Sequence, residues 1–255
     1  ADMWGRSFET FTQAAALGAI TKNIGLFVTA HVSLLTPAFA AKAITTIDHV
    51  THGRAGINVV CGWNPDEFDM HGVTIDPDLR YAKGLEWFRI YDKLLKGGGE
   101  FDWDGEFYKL RGLVTDPLPV QKLPPVMSAA QSGDGQVFAA QAADILFSSM
   151  HSVDQVRDMV QRQQALAAQY GRSTDVYVET QIVCRPTRKE AEEFAHYYAV
   201  ENADQGALDY FRRMKAGTLS KSTRDASSVS DKAVLASVKP DERKYPGMFP
   251  GMYPL

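Results

Sequence analysis

The residues of this sequence best suited to chemistry are polar side chains within short apolar runs. Thr29 and His31 lie near the end of residues 24–32, and Asn58 lies within residues 55–63. A buried amide costs about 1–3 kcal/mol unless it is hydrogen-bonded, so Asn58 either pairs with neighbouring backbone or contacts a ligand. Histidine is the usual proton carrier near neutral pH. His31 is therefore a candidate for acid–base chemistry, as is His151 at the end of another apolar run.

A glycine-rich turn offers a second kind of site. Residues 129–143, AAQSGDGQVFAAQAA, pass from an apolar run through Ser132-Gly133-Asp134-Gly135 into an alanine-rich helical segment. Backbone N–H groups and a hydroxyl then meet at a helix N-terminus, an arrangement that binds phosphate. Because the segment lacks a full GxGxxG and a Walker lysine, an ordinary glycine-rich turn is the alternative.

A basic and aromatic pair, Arg80-Tyr81, stands at the start of a long helical segment. The pair could clamp the same phosphate, since arginine donates several hydrogen bonds to phosphate oxygens. Alternatively, Arg80 pairs with Asp76 or Asp78, and Tyr81 packs in the core. The residues leave both interpretations open.

Charge and motif content argue against several functions. Lys+Arg 27 against Asp+Glu 31 gives a net charge of −4, so no basic excess points to nucleic acid or an anionic membrane. The six histidines form no HxH or HExxH pattern, and no metal site is predicted. Residues 23–41 carry no charge, but polar residues and Pro37 interrupt them, which predicts strand, turn and helix rather than a membrane span. Cys61 and Cys184 lie far apart, as in proteins of the reducing cytoplasm.

The elements that must position these residues follow from periodicity. Short apolar runs alternate with amphipathic segments, which is typical of βα units around a parallel sheet. The predicted strands are residues 24–32, 55–63, 125–129, 144–150 and 176–184, and a helix precedes the first of them. The carboxyl ends of parallel strands meet at one edge of the sheet. The polar candidates are therefore expected to converge there.

Helix starts carry local signals. Thr36-Pro37 predicts an N-cap with a first-turn proline, and Gly53 is expected to end that helix. Asp76-Pro77 is predicted to open a longer helix that stops at Gly97. Two capping boxes are predicted, Ser152 with Gln155 and Thr187 with Glu190.

Two further segments interrupt the βα pattern. Asp104-Gly105 stands between aromatic-rich runs, which predicts a type I′ hairpin over about residues 100–112. Residues 217–255 are rich in Ser, Lys and Asp and then in Pro and Gly, and they predict a long irregular excursion. Both are interpreted as parts of one domain covering residues 1–255.

Residues 46–72 resemble the bacterial-luciferase-like flavin monooxygenases. That family carries T-[LI]-D-x-[LI]-S-x-G-R-x-x-x-N-[LV]-V-[TS]-[GA] followed by an acidic loop, and this chain reads TIDHVTHGRAGINVVCG at the same place. The likeness continues through Arg80-Tyr81, the Asp104-Gly105 hairpin, the AxQS turn at residues 129–132 and Gly171-Arg172. Within the family, the chain is most similar to the branch of the pyrimidine, dialkylsulfone and alkanesulfonate monooxygenases.

The resemblance implies an α/β fold, the (β/α)8 TIM barrel of the luciferase-like type. Five strands are visible in this chain, so the expectation is a partial barrel that lacks its first two strands and its last strand. The alkanesulfonate enzymes carry Arg and His where this chain has Glu179 and Gln181. A carboxylate in place of an arginine would repel a sulfonate, which disfavours that substrate class.

The resemblance also implies an FMN site. Asn58 and Thr29 match the polar pair at the flavin N5 edge, and Glu67 matches an acidic residue near the isoalloxazine. Arg80 and Tyr81 match the pair that holds the cofactor. Ser132 matches the hydroxyl of the phosphate-binding turn, and Gln131 belongs to the same turn.

The function implied is a two-component flavin-dependent monooxygenase. It would use FMNH2 from a separate NAD(P)H-dependent flavin reductase, with O2, to oxidise a small polar organic molecule such as an N-heterocycle, an amide or a sulfone. A cytoplasmic homo-oligomer is expected, with Thr29, Asn58 and His31 as the catalytic candidates. The alternatives are a deazaflavin- or NAD(P)H-dependent oxidoreductase of the same fold and a non-catalytic flavin-binding barrel.

Overall fold

The computed structural model describes residues 7–62, 65–74, 76, 78–130, 132–149, 153–179 and 182–208, without the side chains of residues 65–67. The helices are α1 Thr10–Ile20, α2 Pro37–Thr51, α3 Pro65–Met70, α4 Arg80–Lys96, α5 Gly133–Ala142, α6 Val153–Gln169 and α7 Arg188–His196, which continues as a π-helical turn over Tyr197–Glu201. The strands are β1 Leu26–His31, β2 Ala55–Val60, β3 Phe101–Asp104, β4 Lys109–Leu113, β5 Val126–Ser128, β6 Ile145–Ser149 and β7 Asp175–Glu179.

Five strands form one sheet in the order β1-β2-β5-β6-β7. The pairs β1–β2, β2–β5 and β5–β6 are parallel, and Thr29 lies opposite Asn58 in the first of them. The predicted α/β fold with five sheet strands is confirmed. Within the described residues the barrel is not closed, since β1 and β7 stand at the edges of the sheet.

The strands are shorter than the apolar runs that predicted them. The run of residues 55–63 becomes a strand only to Val60, and the run of residues 176–184 only to Glu179. Of the residues beyond these points, the described ones, residues 61–62 and 182–184, lie outside the sheet.

The chain divides into two compact units, each considered by itself. The larger comprises Phe8–Phe147 and Gln163–Val176, and the smaller comprises, among the described residues, Ser7 and residues 148–149, 153–162, 177–179 and 182–208. In the smaller unit, Ala195 and Ala199 are buried beneath a few partly buried apolar side chains. A single domain over residues 1–255 stays a prediction, and the excursion of residues 217–255 lies outside the described residues.

One face of β1 is buried more deeply than the other. Val28 and Ala30 of β1 are buried, whereas the alternate residues Thr29 and His31 are only half-buried. Because side chains alternate across a strand, Thr29 and His31 share the face that is less covered. This is the face on which a ligand has room.

Two predicted helix starts are confirmed and one is corrected. The Thr36 hydroxyl accepts from the N–H of Phe39 at 3.2 Å, with Pro37 in the first turn, and the Thr187–Glu190 capping box is present. The second predicted capping box begins at Ser152, outside the described residues. The long helix α4 begins at Arg80, not at Asp76-Pro77, because the Asp76 carboxylate accepts from the N–H of Asp78 at 2.9 Å and forms a turn before the helix.

Arg54 is the main polar link among α1, α2 and β1. Its guanidinium donates to the carbonyls of Gly18 at 3.1 Å, Thr21 at 2.7 Å and Thr51 at 2.9 Å, and also to the Ile24 carbonyl. The Thr21 hydroxyl accepts a further bond at 3.3 Å. The fixed fork of five N–H donors suits this task, which lysine cannot perform. The arginine of the family-like motif is therefore a structural residue in this chain.

Asp48, the aspartate of the same motif, is also structural. It is fully buried, and its carboxylate accepts from the backbone N–H of Gln121 at 2.9 Å and from the Gln121 side chain at 2.6 Å. Gln121 then donates to the Ala55 carbonyl at 2.8 Å. This chain of hydrogen bonds holds the loop before β5 against α2 and the start of β2.

The predicted hairpin is present as β3 paired with β4, but its turn differs from the prediction. Asp104 pairs with Lys109, so four residues connect the strands, and the N–H of Gly105 donates to the Tyr108 carbonyl at 2.9 Å. Gly105 is not among the residues with positive φ, which a type I′ turn requires. A Cβ at Gly105 would overlap the Glu86 carboxylate and lie 2.6 Å from Trp103 Nε1. The glycine is needed for space, not for a left-handed backbone.

Candidate functional site

Asn58 and Thr29 form a hydrogen-bonded pair across β1 and β2. Asn58 Nδ2 donates to Thr29 Oγ1 at 3.3 Å, and the Thr10 hydroxyl donates to the Thr29 carbonyl at 2.9 Å. Asn58 Oδ1 is buried and has no hydrogen-bond donor among the described residues. A buried carbonyl without a donor is costly in the isolated chain. The pair therefore offers one open acceptor to a ligand.

His31 lies two residues beyond Thr29 on the same face of β1. Its ring meets that of Phe68, on α3, edge to face with the centroids 5.9 Å apart. Phe68 is buried. The contact places His31 at the carboxyl edge of β1, where its apolar neighbour limits access of water to the ring.

Arg80 connects α4 with the segment after β2. Its Nη1 donates to the Gly62 carbonyl at 3.3 Å, and its guanidinium carbon lies 4.8 Å from the centroid of the Tyr81 ring. Among the described residues Arg80 pairs with neither Asp76 nor Asp78, and its buried Nε has no acceptor. The guanidinium is therefore held by backbone and by an aromatic face, and one donor remains open.

Tyr81 and Ser132 join α4 to the start of α5. The Ser132 hydroxyl accepts from the N–H of Gly135 at 3.2 Å and donates to Tyr81 Oη at 3.1 Å. Burial raises the pKa of Tyr81, although the neighbouring Arg80 opposes the shift. A Cβ at Gly135 would lie 2.7 Å from both Tyr81 Oη and Ala130 Cβ. The turn predicted from the sequence is thus a close-fitting cap on a ten-residue helix.

The charge at this helix start is not purely favourable to an anion. Asp134, exposed in the first turn of α5, places a carboxylate beside the free N–H groups. A first-turn carboxylate stabilises the helix but repels a phosphate at the same end. Asp134 therefore lowers the affinity of this helix N-terminus for anions.

Cys61 lies directly after β2, beneath the first turns of α4. A Cβ at Gly84 would overlap its sulfur, so the helix can approach this closely only with glycine at that position. Burial raises the pKa of the Cys61 thiol to about 12, although Arg80 opposes the shift. Cys61 is a neutral thiol at physiological pH and a packing residue.

The larger unit holds six of the predicted site residues: Thr29 contacts Asn58, and Tyr81 contacts both Arg80 and Ser132, whereas His31 contacts Phe68. The backbone of Glu67 belongs to α3, but its side chain lies outside the description, as do Gln131 and His151. Sequence reasoning missed Glu86, a buried carboxylate on α4. An acidic residue directly before the buried Trp87, in the apolar stripe of a helix, was the available signal.

Two kinds of site are not found in the described part of the chain. It contains no group of three or more His, Cys, Asp or Glu side chains that could hold a metal ion. No described helix is both long enough and apolar enough to cross a membrane.

Comparison with known proteins identifies the family of the chain. The family model of the luciferase-like monooxygenases matches residues 1–240. Pyrimidine monooxygenase RutA of Allorhizobium ampelinum is 33% identical over 194 residues, which are 73% of this chain and 52% of that protein.

Solved structures share the fold of the chain. EDTA monooxygenase EmoA from Chelativorans sp. BNC1 superposes with a TM-score of 0.70 at 25% identity, over 75% of this chain and 52% of that one. Riboflavin lyase RcaE, whose structure holds a modified FMN and riboflavin, superposes with a TM-score of 0.72 at 22% identity, over 76% of this chain and 49% of that one. The chain thus spans about half the length of these relatives. The chain belongs to the luciferase-like monooxygenase family.

Proposed function

We propose that this chain acts in a two-component flavin-dependent monooxygenase. It would bind FMNH2 delivered by an NAD(P)H-dependent flavin reductase and use O2 to oxidise a small polar organic molecule, as a homo-oligomer in the cytoplasm. The observation that carries the proposal is the Asn58 amide beside Thr29, whose buried Oδ1 has no hydrogen-bond donor among the described residues. A reduced flavin carries N–H groups that such an acceptor can bind.

The residues present fit a flavin mononucleotide. Asn58 Oδ1 is an open acceptor and Arg80 Nε an open donor, both buried. Rotation of the Asn58 amide by 180° would exchange its donor and acceptor, and one polar atom would still lack a protein partner. The N-terminus of α5, capped by Ser132, provides backbone N–H groups for a phosphate. Polar atoms of both types are thus available for the two ends of the cofactor.

Each residue then has a defined task. Bound FMNH2 would supply the electrons that activate O2. Asn58 and Thr29 orient the ligand and present preorganised dipoles to charge that develops beside them. Arg80, Tyr81, Ser132 and Gln131 are proposed to hold the phosphate, with Glu67 near the ring system. Phe68 excludes water, and His31 is proposed to hold or accept a substrate proton.

The proposed substrate is a flat N-heterocycle or amide. RutA is a pyrimidine monooxygenase by name, and an oxo-pyrimidine such as uracil presents alternating N–H and carbonyl groups that suit an amide and a hydroxyl. A sulfone is a second candidate of similar polarity.

Anaerobic titration with FMNH2, oxidised FMN and a deazaflavin tests the cofactor. We expect FMNH2 to bind more tightly than the other two. Tighter binding of the deazaflavin would contradict the proposal in favour of the related deazaflavin enzymes. Product formation from uracil or dimethyl sulfone with FMNH2 and O2 then tests catalysis, and the absence of product would favour a non-catalytic flavin-binding barrel.

Removing the phosphate contacts should weaken cofactor binding. We expect Ser132→Ala and Arg80→Ala each to lower FMNH2 affinity by about ten- to a hundredfold, the effect of losing a hydrogen bond to a charged group. Equilibrium titration under anaerobic conditions measures this. Thr187→Ala is the matched control, because it removes a helix cap of the same kind on α7. Equal affinity in all three variants would place the phosphate elsewhere.

The acidic first turn of α5 offers a substitution that should strengthen FMNH2 binding. Asp134→Asn should tighten FMNH2 binding by about two- to fivefold, because it removes a negative charge beside the phosphate. Riboflavin, which has no phosphate, is the control ligand and should bind the variant and the parent equally. The gain should shrink at high salt, since Asp134 is exposed. Tighter binding of riboflavin as well would show that the effect is not at the phosphate.

A further inference from the structure

The ring of Phe27 lies across Gly56 on the neighbouring strand. The two residues are register partners in the β1–β2 pair. A Cβ at Gly56 would lie 2.5 Å from Phe27 Cε1, 2.7 Å from Cδ1 and 2.9 Å from Cζ, closer than real Cβ contacts. One edge of the aromatic ring therefore rests on the backbone of β2, in space that any side chain at position 56 would occupy.

Phe27 and Gly56 lie on the same face of the sheet as the Thr29–Asn58 pair. Each precedes one member of that pair by two residues, and side chains alternate along a strand. The backbone positions of Phe27 and Thr29 are about 7 Å apart along β1, with Phe27 nearer the amino end. Because Phe27 is still 38% exposed, an aromatic surface borders the open acceptor of Asn58 on the face where a ligand has room.

Met127 borders Asn58 on the opposite side from Thr29. Asn58 is paired with Thr29 on β1 and with Met127 on β5, and both strand pairs are parallel. Register partners on neighbouring strands lie about 5 Å apart and direct their side chains to the same face. Val126 and Ser128 are buried whereas Met127 is half-buried, which places the thioether on the less covered face. A thioether has no hydrogen to donate to Asn58 Oδ1, so Met127 supplies apolar contact only.

We propose that Phe27 and Met127 contact the flavin ring in the candidate site, and that the absence of a side chain at Gly56 keeps the Phe27 ring low enough to leave room for it. This assignment rests on the proposed function. An isoalloxazine combines apolar faces with a polar edge, and an apolar surface beside an open polar atom matches that combination. Aromatic and thioether side chains both pack favourably against a conjugated ring. They hold the ring and leave its hydrogen bonds to Asn58.

Methionine oxidation tests the position of Met127 without any substitution. Hydrogen peroxide converts accessible methionine to the sulfoxide, and mass spectrometry of peptides measures each methionine separately. Saturating oxidised FMN, with the reaction kept in the dark, should slow the oxidation of Met127 by about fivefold or more, because the bound ring covers its sulfur. Met70, which is 84% exposed, calibrates the reagent, and Met159, which is 2% exposed, should react slowly in both samples. Equal rates for Met127 with and without bound FMN would overturn its role.

Phe27→Trp tests contact between position 27 and the flavin ring. An indole that touches an isoalloxazine quenches its fluorescence by electron transfer, and this quenching falls steeply with distance. We expect Phe27→Trp to reduce the emission of bound oxidised FMN by about fivefold or more relative to the parent chain, because the two rings pack together. Phe39→Trp is the matched control, since Phe39 lies on α2 and is 58% exposed. Equal emission from the two variants would overturn the role of Phe27.

Gly56→Ala tests whether the depth of the Phe27 ring matters to the ligand. The added methyl group pushes the ring outward into the space proposed for the flavin, so FMN affinity should fall by about tenfold or more. In the Phe27→Ala background, the same substitution should change FMN affinity by less than about twofold, because no ring remains to be displaced. Urea denaturation checks that each variant is folded. Equal effects of Gly56→Ala in both backgrounds would show that the Phe27 ring does not limit the flavin site.

Titration of the parent chain with FMN separates this inference from the proposed function. The expected result is FMN binding that protects Met127 and that is accompanied by quenching in Phe27→Trp. If FMN binds but neither protects Met127 nor is quenched in Phe27→Trp, the flavin ring lies elsewhere, and this inference alone is overturned. If the parent chain binds no FMN, the proposed function and this inference are both overturned.

Discussion

Replacing Asn58 by Ala is expected to lower product formation by about 10²- to 10³-fold while FMNH2 affinity changes only a few-fold. The amide lies in a wall of apolar strand residues, where a preorganised dipole acts more strongly than in water. Thr29→Val should have a similar effect, because the two side chains are hydrogen-bonded and orient each other. The FMNH2 affinity of both variants should change little, because most of the proposed binding contacts are made with the phosphate end of the cofactor.

The measurement follows three quantities in the same reaction: flavin oxidised, product formed and hydrogen peroxide released. In both variants reduced flavin should be oxidised without product, and hydrogen peroxide should account for the difference. Ser128→Ala is the control, since Ser128 is a buried hydroxyl on the neighbouring strand whose hydrogen bond goes to the Val59 carbonyl at 3.4 Å. Normal coupling of oxygen to product in both Asn58→Ala and Thr29→Val would leave the pair a structural device that keeps β1 and β2 in register.

Replacing Arg54 by Ala is expected to lower the free energy of unfolding by about 3 kcal/mol or more. The change leaves the carbonyls of Gly18, Thr21 and Thr51 without their donor. Arg54→Lys should recover little of the loss, because one ammonium cannot reach acceptors on two helices and on the segment before β1. Urea denaturation followed by circular dichroism measures the effect.

A second arginine serves as the control. Arg111 pairs with Asp104 at 2.8 Å, but both side chains are about 60% exposed. Arg111→Ala should leave the urea midpoint nearly unchanged, because exposed ion pairs contribute little to stability. A loss of unfolding free energy in Arg54→Ala as small as that in Arg111→Ala would show that water replaces the hydrogen bonds of Arg54 at no cost.

Local signals in the sequence were sufficient where neighbouring residues decide the structure. The Thr36 cap and the Thr187–Glu190 box depend on atoms within three positions, and both are present. Ser132 caps α5 for the same reason. The convergence of Thr29 and Asn58 was also predictable, because any parallel arrangement of these two strands brings their carboxyl ends to one edge.

Contacts between distant segments could not be predicted in this way. Asp104-Gly105 has the sequence of a tight left-handed turn, yet Gly105 serves to admit a carboxylate from a helix 19 residues earlier. Arg54 and Asp48 look like functional residues in a motif, yet they bind carbonyls and amides of other elements.

Sequence by itself determined the element types, several helix ends and the edge of the sheet at which polar residues gather, because these follow from periodicity and from short-range hydrogen bonds. Tertiary structure decided which buried polar atoms lack a hydrogen-bond partner among the described residues. Arg54 and Glu86 satisfy backbone groups, whereas Asn58 Oδ1 and Arg80 Nε are buried without a partner among the described residues. Whether a buried polar group is satisfied depends on what the rest of the chain places within about 3 Å of it. That condition depends on packing between distant segments, so the spacing of residues along the chain does not reveal it.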